Sequence, residues 1–136
     1  MKIMIEAGGY MPERAHEDDA GLDLRTPHVT YIPAGGYAII NTGVHIEIPQ
    51  GYVGMLKSKS GLYMKQNLTS EGVVDSGYNG SIVCKLVNHG HEPVQPPKGA
   101  KITQLVIIPI LTPTIEIVDH LDDTEHGANG FGSTGI

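Results

Sequence analysis

A single cysteine, Cys84, is all that this 136-residue chain carries, so no internal disulfide can staple it. Its place in the apolar run SIVCKLV points to a buried structural thiol rather than a nucleophile. Basic residues are also scarce: nine Lys and Arg stand against fifteen Asp and Glu, a formal net charge of −6. That balance excludes a basic surface broad enough for duplex nucleic acid. A polyanionic partner must be small and held locally, and three of the nine cations fall together in LKSKSGLYMK, at Lys57, Lys59 and Lys65. No apolar run approaches the ~20 residues of a membrane-spanning helix. The opening MKIMIEAGGY is too short and too acidic for a secretory signal, so a soluble, cytoplasmic protein is expected, with no direct DNA or membrane binding.

Helical periodicity is equally scarce. Short β-type runs recur between Gly and Pro punctuation: KIMIE, HVTYI, YAIIN, VHIEI, YVGML, SIVCKLV, ITQLVII and TIEIV. In VHIEI, residues Val44, Ile46 and Ile48 face one way and His45 and Glu47 the other. ITQLVIIPI is more continuously apolar, as a strand covered on both faces requires. Eighteen glycines and nine prolines supply the turns. The expected class is all-β, a compact sandwich or jelly roll over residues 1–126, followed by a flexible Gly-rich tail, 127–136. At most one short helical turn is expected: SKSGLYMK reads either as a turn capped by Ser58, where Lys59, Ser60 and free N–H groups would make an anion site, or equally as a polar connection between strands.

Five polar, Gly-rich segments lie among the strands: AGLDLRT (20–26), SKSGL (58–62), EGVVDSGYNGSI (71–82), GAKITQL (99–105) and GANGFGSTGI (127–136). Each suits a phosphate-binding surface and equally a plain turn. Asp75 stands at a strand end beside apolar neighbours, where a carboxylate serves as an oriented general base or bonds its own turn backbone. Tyr78 offers a flat face to a sugar or a base. Asp23 reads as a metal-linked carboxylate or a turn residue. His89 and His91 alternate, as metal ligands often do, but no third ligand lies at zinc spacing. Phe131, the one phenylalanine of the chain, sits between Gly130 and Gly132, where no core can use it.

In order, these five segments resemble the five motifs of the trimeric dUTPase family, over nearly the whole chain from Ala20 to Gly135. The SKSGL and TSEGVVDSGYNGSI wording is most similar to the bacterial and phage branch. The resemblance implies a homotrimer of jelly rolls with each active site assembled from all three chains. It implies hydrolysis of dUTP to dUMP and diphosphate, with Mg²⁺ on the triphosphate and water attacking the α-phosphorus. Asp75 resembles the base that orients this water, and Tyr78 the aromatic beneath deoxyribose that leaves no room for a 2′-hydroxyl. Uracil is expected in a hairpin from about Thr69 to Tyr78, including Gly72, where backbone groups complement its O4 and N3–H. Lys59, Ser60 and Gly61 match the phosphate-binding second motif, and Gln104 the fourth-motif amide. Asp23 is similar to the first-motif carboxylate that supports the metal through water, the metal being held mainly by phosphate. Phe131, Gly132, Ser133 and Thr134 resemble a lid that closes over nucleotide, with Phe131 stacked on uracil.

Four positions depart from the commonest form of these motifs. Lys59 stands where many members have Arg, Gly77 where many have Asp, Asn79 where Arg is frequent, and His126 where the fifth motif usually begins with Arg. A neutral imidazole anchors phosphate less firmly than a guanidinium, which is always charged and binds bidentately. The alternative readings are a dCTP deaminase-like enzyme on the same fold and a trimer that binds nucleotide in a regulatory role without turnover. The third motif, GVVDSGY, favours dUTP hydrolysis over the former.

Overall fold

The structure is a computed structural model and describes residues 1–135. It is built from nine strands and one helix. The strands are β1 (Ile3–Ile5), β2 (Gly21–Arg25), β3 (Tyr37–Asn41), β4 (Val44–Ile46), β5 (Tyr52–Lys57), β6 (Leu68–Thr69), β7 (Glu71–Asp75), β8 (Val83–Asn88) and β9 (Lys101–Pro109), and the helix is α1 (Ser60–Gln66). They form a four-stranded sheet in the order β2-β9-β5-β7, a three-stranded sheet β3-β8-β6 and a ribbon β1-β4, antiparallel throughout. This is the expected all-β jelly roll.

Strand β9 holds the run ITQLVII and lies between β2 and β5. Its consecutive residues Ile102 and Thr103 are both buried, so both faces are covered there, and its polar residues Lys101, Thr103 and Gln104 all fall in its first half. Val44, Ile46 and Ile48 are all buried, while Glu47 between them is exposed, so the alternation in VHIEI sets which face meets the core. With Leu22, Leu24, Leu56, Val74, Ile82 and Leu105 they form one apolar cluster. A second gathers Ile32, Ile40, Leu68, Cys84, Leu86 and Ile102. Each fully buried Leu or Ile contributes about 1.5–3 kcal/mol over an exposed one. Cys84 is wholly buried, and burial pushes its thiol up to about 11 against weaker bonds from Thr103 and Ser70. It is a structural thiol, as its sequence setting implies.

Three local expectations change. The helix runs to seven residues, with Lys59 rather than Ser58 at its N-cap. The Ser58 hydroxyl is instead engaged with Ser70, accepting from its N–H at 2.9 Å and donating to its carbonyl at 3.2 Å. HVTYI forms only an isolated bridge from Ile32 to Val94, and TIEIV forms no strand. Leu111, Ile115 and Ile117 are almost fully exposed there; the alternating pattern is present, but the segment pairs with none of the described strands. Among the described residues no helix is long and apolar enough to cross a membrane.

Candidate active site

The antiparallel register places Lys57 of β5 opposite Gln104 of β9, and Gln104 opposite Asp23 of β2. One row across the sheet thus joins the first and fourth of the five motif segments with the residue that directly precedes the second. Asp23 is buried and bonds both Lys59 and Lys101, the latter at 2.9 Å. Burial alone would raise its carboxyl, but the two lysines outweigh burial and hold it below the usual carboxylate range. Lys101 also lies 3.7 Å from Glu13, which pairs with Arg25. The bond and charge of Arg25 hold Glu13 low in turn. The result is a chain of alternating charge, Arg25, Glu13, Lys101, Asp23, Lys59. Its three cations against two carboxylates leave one positive charge in an otherwise acidic protein, a local anion-attracting corner.

Gln104 is fixed within that corner. Its amide donates to the Ser58 carbonyl at 3.0 Å, and its Oε1 lies 2.1 Å from where a Cβ on Gly21 would stand. Only a glycine at position 21 lets the amide lie this close to the neighbouring strand. Below it, the Ser70 hydroxyl meets that of Thr103 at 2.7 Å, and Thr103 donates to the Lys57 carbonyl at 3.1 Å. These bonds seat the Lys57–Lys59 segment before it enters α1. Ser60 and Gly61 open the helix on the exposed surface.

Asp75 and Tyr78 lie elsewhere. Asp75 is the last residue of β7, exposed, opposite Val53, whereas Glu71 at the other end of β7 is opposite Lys57. Four residues of strand at ~3.3 Å each put Asp75 about 13 Å along the sheet from the row of Lys57, Gln104 and Asp23. Tyr78 follows in a turn, its N–H donating to the Asp75 carbonyl at 3.2 Å and its hydroxyl to the Ser81 carbonyl at 2.9 Å. A Cβ on Gly80 would lie 2.4 Å from that hydroxyl, so the ring rests on bare backbone. Thr69 and Tyr78 are not arms of one hairpin. The chain bends at Ser70, leaving Leu68–Thr69 paired with β8 and Glu71–Asp75 with β5. Thr69 bonds the His89 ring at 2.7 Å, and Gly72 sits against Leu56.

The tail is apart from both groups. Phe131 is fully exposed. Gly132, Ser133 and Thr134 lie in successive turns on the surface, with the Ser133 hydroxyl 3.5 Å from the His126 ring. One chain therefore presents three separate parts: a cationic corner, a carboxylate-tyrosine turn and an aromatic tail.

Lys101, Arg25 and Glu13 were not singled out by sequence, although Lys101 lies within the quoted GAKITQL; two carboxylates at 13 and 23 flanking it become visible only once β2 and β9 pair. His45, which bonds the turn beyond Tyr78, carries no sequence signal of that contact. Among the described residues no three His, Cys, Asp or Glu side chains gather as a metal cage. Of the two carboxylates in the corner, Glu13 is tied to Arg25, and Asp23, beside Lys59 and Gln104, is the one nearer the second- and fourth-motif residues. It suits a cation that keeps its waters and takes most of its ligands from phosphate, as Mg²⁺ does.

These features make a local cationic corner on a jelly roll. The dUTPase family model matches residues 8–135. Deoxyuridine 5′-triphosphate nucleotidohydrolases of Gloeothece citriformis and Clostridium acetobutylicum are 40% and 41% identical, each over 97% of this chain and 93% of the relative. The dUTPase of Staphylococcus bacteriophage 80alpha, solved with dUpNHpp, superposes with a TM-score of 0.93 at 30% identity, covering 99% of this chain and 98% of that one. A dUTPase from phage phi11 of S. aureus, described with a structural Mg(II) ion, gives 0.81 at 30% identity over 88% and 96% of the two chains. The chain belongs to the dUTPase family.

Proposed function

We infer that this chain hydrolyses dUTP to dUMP and diphosphate, in a trimer whose sites each draw on more than one copy. The observation that carries the second half is the separation of about 13 Å between the cationic corner and Asp75 along one sheet. A water held by Asp75 and a triphosphate held by Lys59 and Gln104 of the same chain would not meet. A neighbouring copy that presents its Asp75 and Tyr78 to this corner closes the gap, and symmetry repeats the site three times. The exposed apolar arm at Leu111, Ile115 and Ile117 supports the same assembly, since it buries nothing within its own chain.

In that arrangement Lys59, Ser60, Gly61 and Gln104 bind the phosphates, and Asp75 orients water for attack on the α-phosphorus. The new oxygen–phosphorus bond forms as the bond to the bridging oxygen breaks; diphosphate departs and Asp75 accepts the proton of the water. Positioning and charge neutralisation supply most of the acceleration in phosphoryl transfer. Mg²⁺, when bound, neutralises the triphosphate. Asp23 supports it through its water shell, and a phosphate that draws Lys59 away frees one oxygen of that carboxylate for the role. Uracil lies against the backbone between Thr69, Gly72 and Tyr78, and the Tyr78 ring closes the space a 2′-hydroxyl would need. The segment 127–136 closes over the nucleotide, with Phe131 on the base and Gly132, Ser133 and Thr134 beside phosphate.

Diphosphate release from dUTP, dTTP, dCTP and UTP, each with Mg²⁺ and with EDTA, tests the reaction. Release from dUTP alone, lost with EDTA, is the expected outcome. Ammonia from dCTP would favour the deaminase reading, and binding without release the regulatory one.

A further inference from the structure

His45 points outward from β4, yet its side chain is only 16% exposed. Its Nδ1 lies 2.8 Å from the Asn79 backbone carbonyl and its Nε2 2.8 Å from a Glu6 carboxylate oxygen. Both partners are acceptors only. A neutral imidazole has one N–H and one lone pair, so it can satisfy one of them and must face the other with its lone pair. The imidazolium, with two donors, satisfies both.

The contact falls at a sensitive place. Asn79 directly follows Tyr78, and the next anchor is Ser81, whose hydroxyl bonds the Asn41 side chain while its carbonyl accepts from Tyr78. The chain is therefore pinned twice just beyond Tyr78, at Asn79 by His45 and at Ser81 by Asn41. An open groove of about 740 Å³ runs beside it, lined among others by Met4, His45, Gly77 and Tyr78. The ring has room to tilt once the first pin is lost.

We propose that His45, bridging Glu6 and the Asn79 carbonyl, is a positioning residue that holds the Tyr78 turn and so sharpens selection of deoxyribose over ribose. This rests on the reading of Tyr78 as the platform beneath the sugar. The Asn79 carbonyl and then Glu6 raise the imidazole above its ordinary value of 6.5. The other titratable groups facing this groove are Lys2, Glu47 and Tyr78; Lys2 and Glu47 pair with each other at 3.2 Å, leaving the ring to Glu6 and Asn79. Because the folded value is raised, the bridge is complete below the ordinary value and is lost as pH rises through the raised one. Sugar selection should weaken in the same direction.

The test is kcat/KM for dUTP and UTP from pH 6 to 9, with melting temperature as a check on folding, for wild type, His45→Ala, Glu6→Gln and Tyr78→Ala. In wild type the dUTP/UTP ratio should fall as pH rises. His45→Ala should lower the ratio about tenfold at the acid end, through KM more than kcat, and abolish its pH dependence. Glu6→Gln keeps an acceptor oxygen but removes the charge, so the inflection should move to lower pH. If Tyr78→Ala collapses the ratio while His45→Ala leaves both ratio and profile as in wild type, His45 is not a positioning residue. If Tyr78→Ala itself leaves the ratio unchanged, the reading of Tyr78 fails and the proposal with it.

Discussion

Asp75→Asn is expected to lower kcat by ~10²–10⁴, the usual contribution of a positioned general base, while melting temperature and affinity for a non-hydrolysable dUTP analogue stay near wild type. The expectation follows from where the residue lies. Asp75 ends β7 on an exposed face, and among the described residues its carboxylate makes no ion pair or side-chain hydrogen bond. The amide is isosteric, so neither the strand nor the following turn loses a contact. What is removed is the negative charge and, on the proposed reading, the ability to accept a proton from water. Steady-state kinetics on the purified variant decides the matter, and wild-type turnover would remove Asp75 from the reaction.

Deleting residues 127–136 should abolish turnover with almost no change in melting temperature. The segment's described residues, 127–135, are all exposed, Phe131 fully so. On the proposed reading its contribution comes from closing on the nucleotide. An aromatic ring stacked on a base contributes ~0.5–1.5 kcal/mol beyond its burial, and closure excludes water from a charged site. A truncated protein that melts like wild type and retains full kcat would show that the tail is not a lid. His126 enters here as well. Its ring lies 3.5 Å from the Ser133 hydroxyl, so it bears on the tail's own turns more directly than a long guanidinium reaching for phosphate would.

How much of this could be read from the residues depends on whether the determining contact is local. VHIEI declares its inward face because strand period alone decides it, and Cys84 declares its burial because every neighbour in SIVCKLV is apolar or alternates with one. The motif segments locate Asp23, Lys59, Gln104, Asp75 and Tyr78, but not their partition into a corner and a distant turn, which follows from the register of β5 against β7 and β9. TIEIV has the pattern of a strand and none of the structure within its own chain, since pairing needs an edge and alternation does not supply one. HVTYI is interrupted for a related reason: Thr26, Thr30 and the His28 carbonyl bond one another, a local side-chain alternative to ladder pairing. Lys101 and His45 were the least legible. Their partners, Asp23 and Glu13 for the one and Glu6 and Asn79 for the other, lie more than thirty residues away in sequence.

The central claim is that the corner, the Asp75 turn and the tail of any one working site come from different copies of the chain. Co-expressing the Asp75→Asn chain with the 127–136 deletion in equal amounts tests it directly, since each alone is inactive. Random assembly into cyclic trimers places an intact Asp75 from one parent beside an intact tail from the other in about a quarter of all sites. Recovery of about a quarter of wild-type dUTP turnover is the predicted result. Activity that stays at the level of the inactive parents in verified mixed trimers would mean that Asp75 and the tail act from the same chain, and would contradict it.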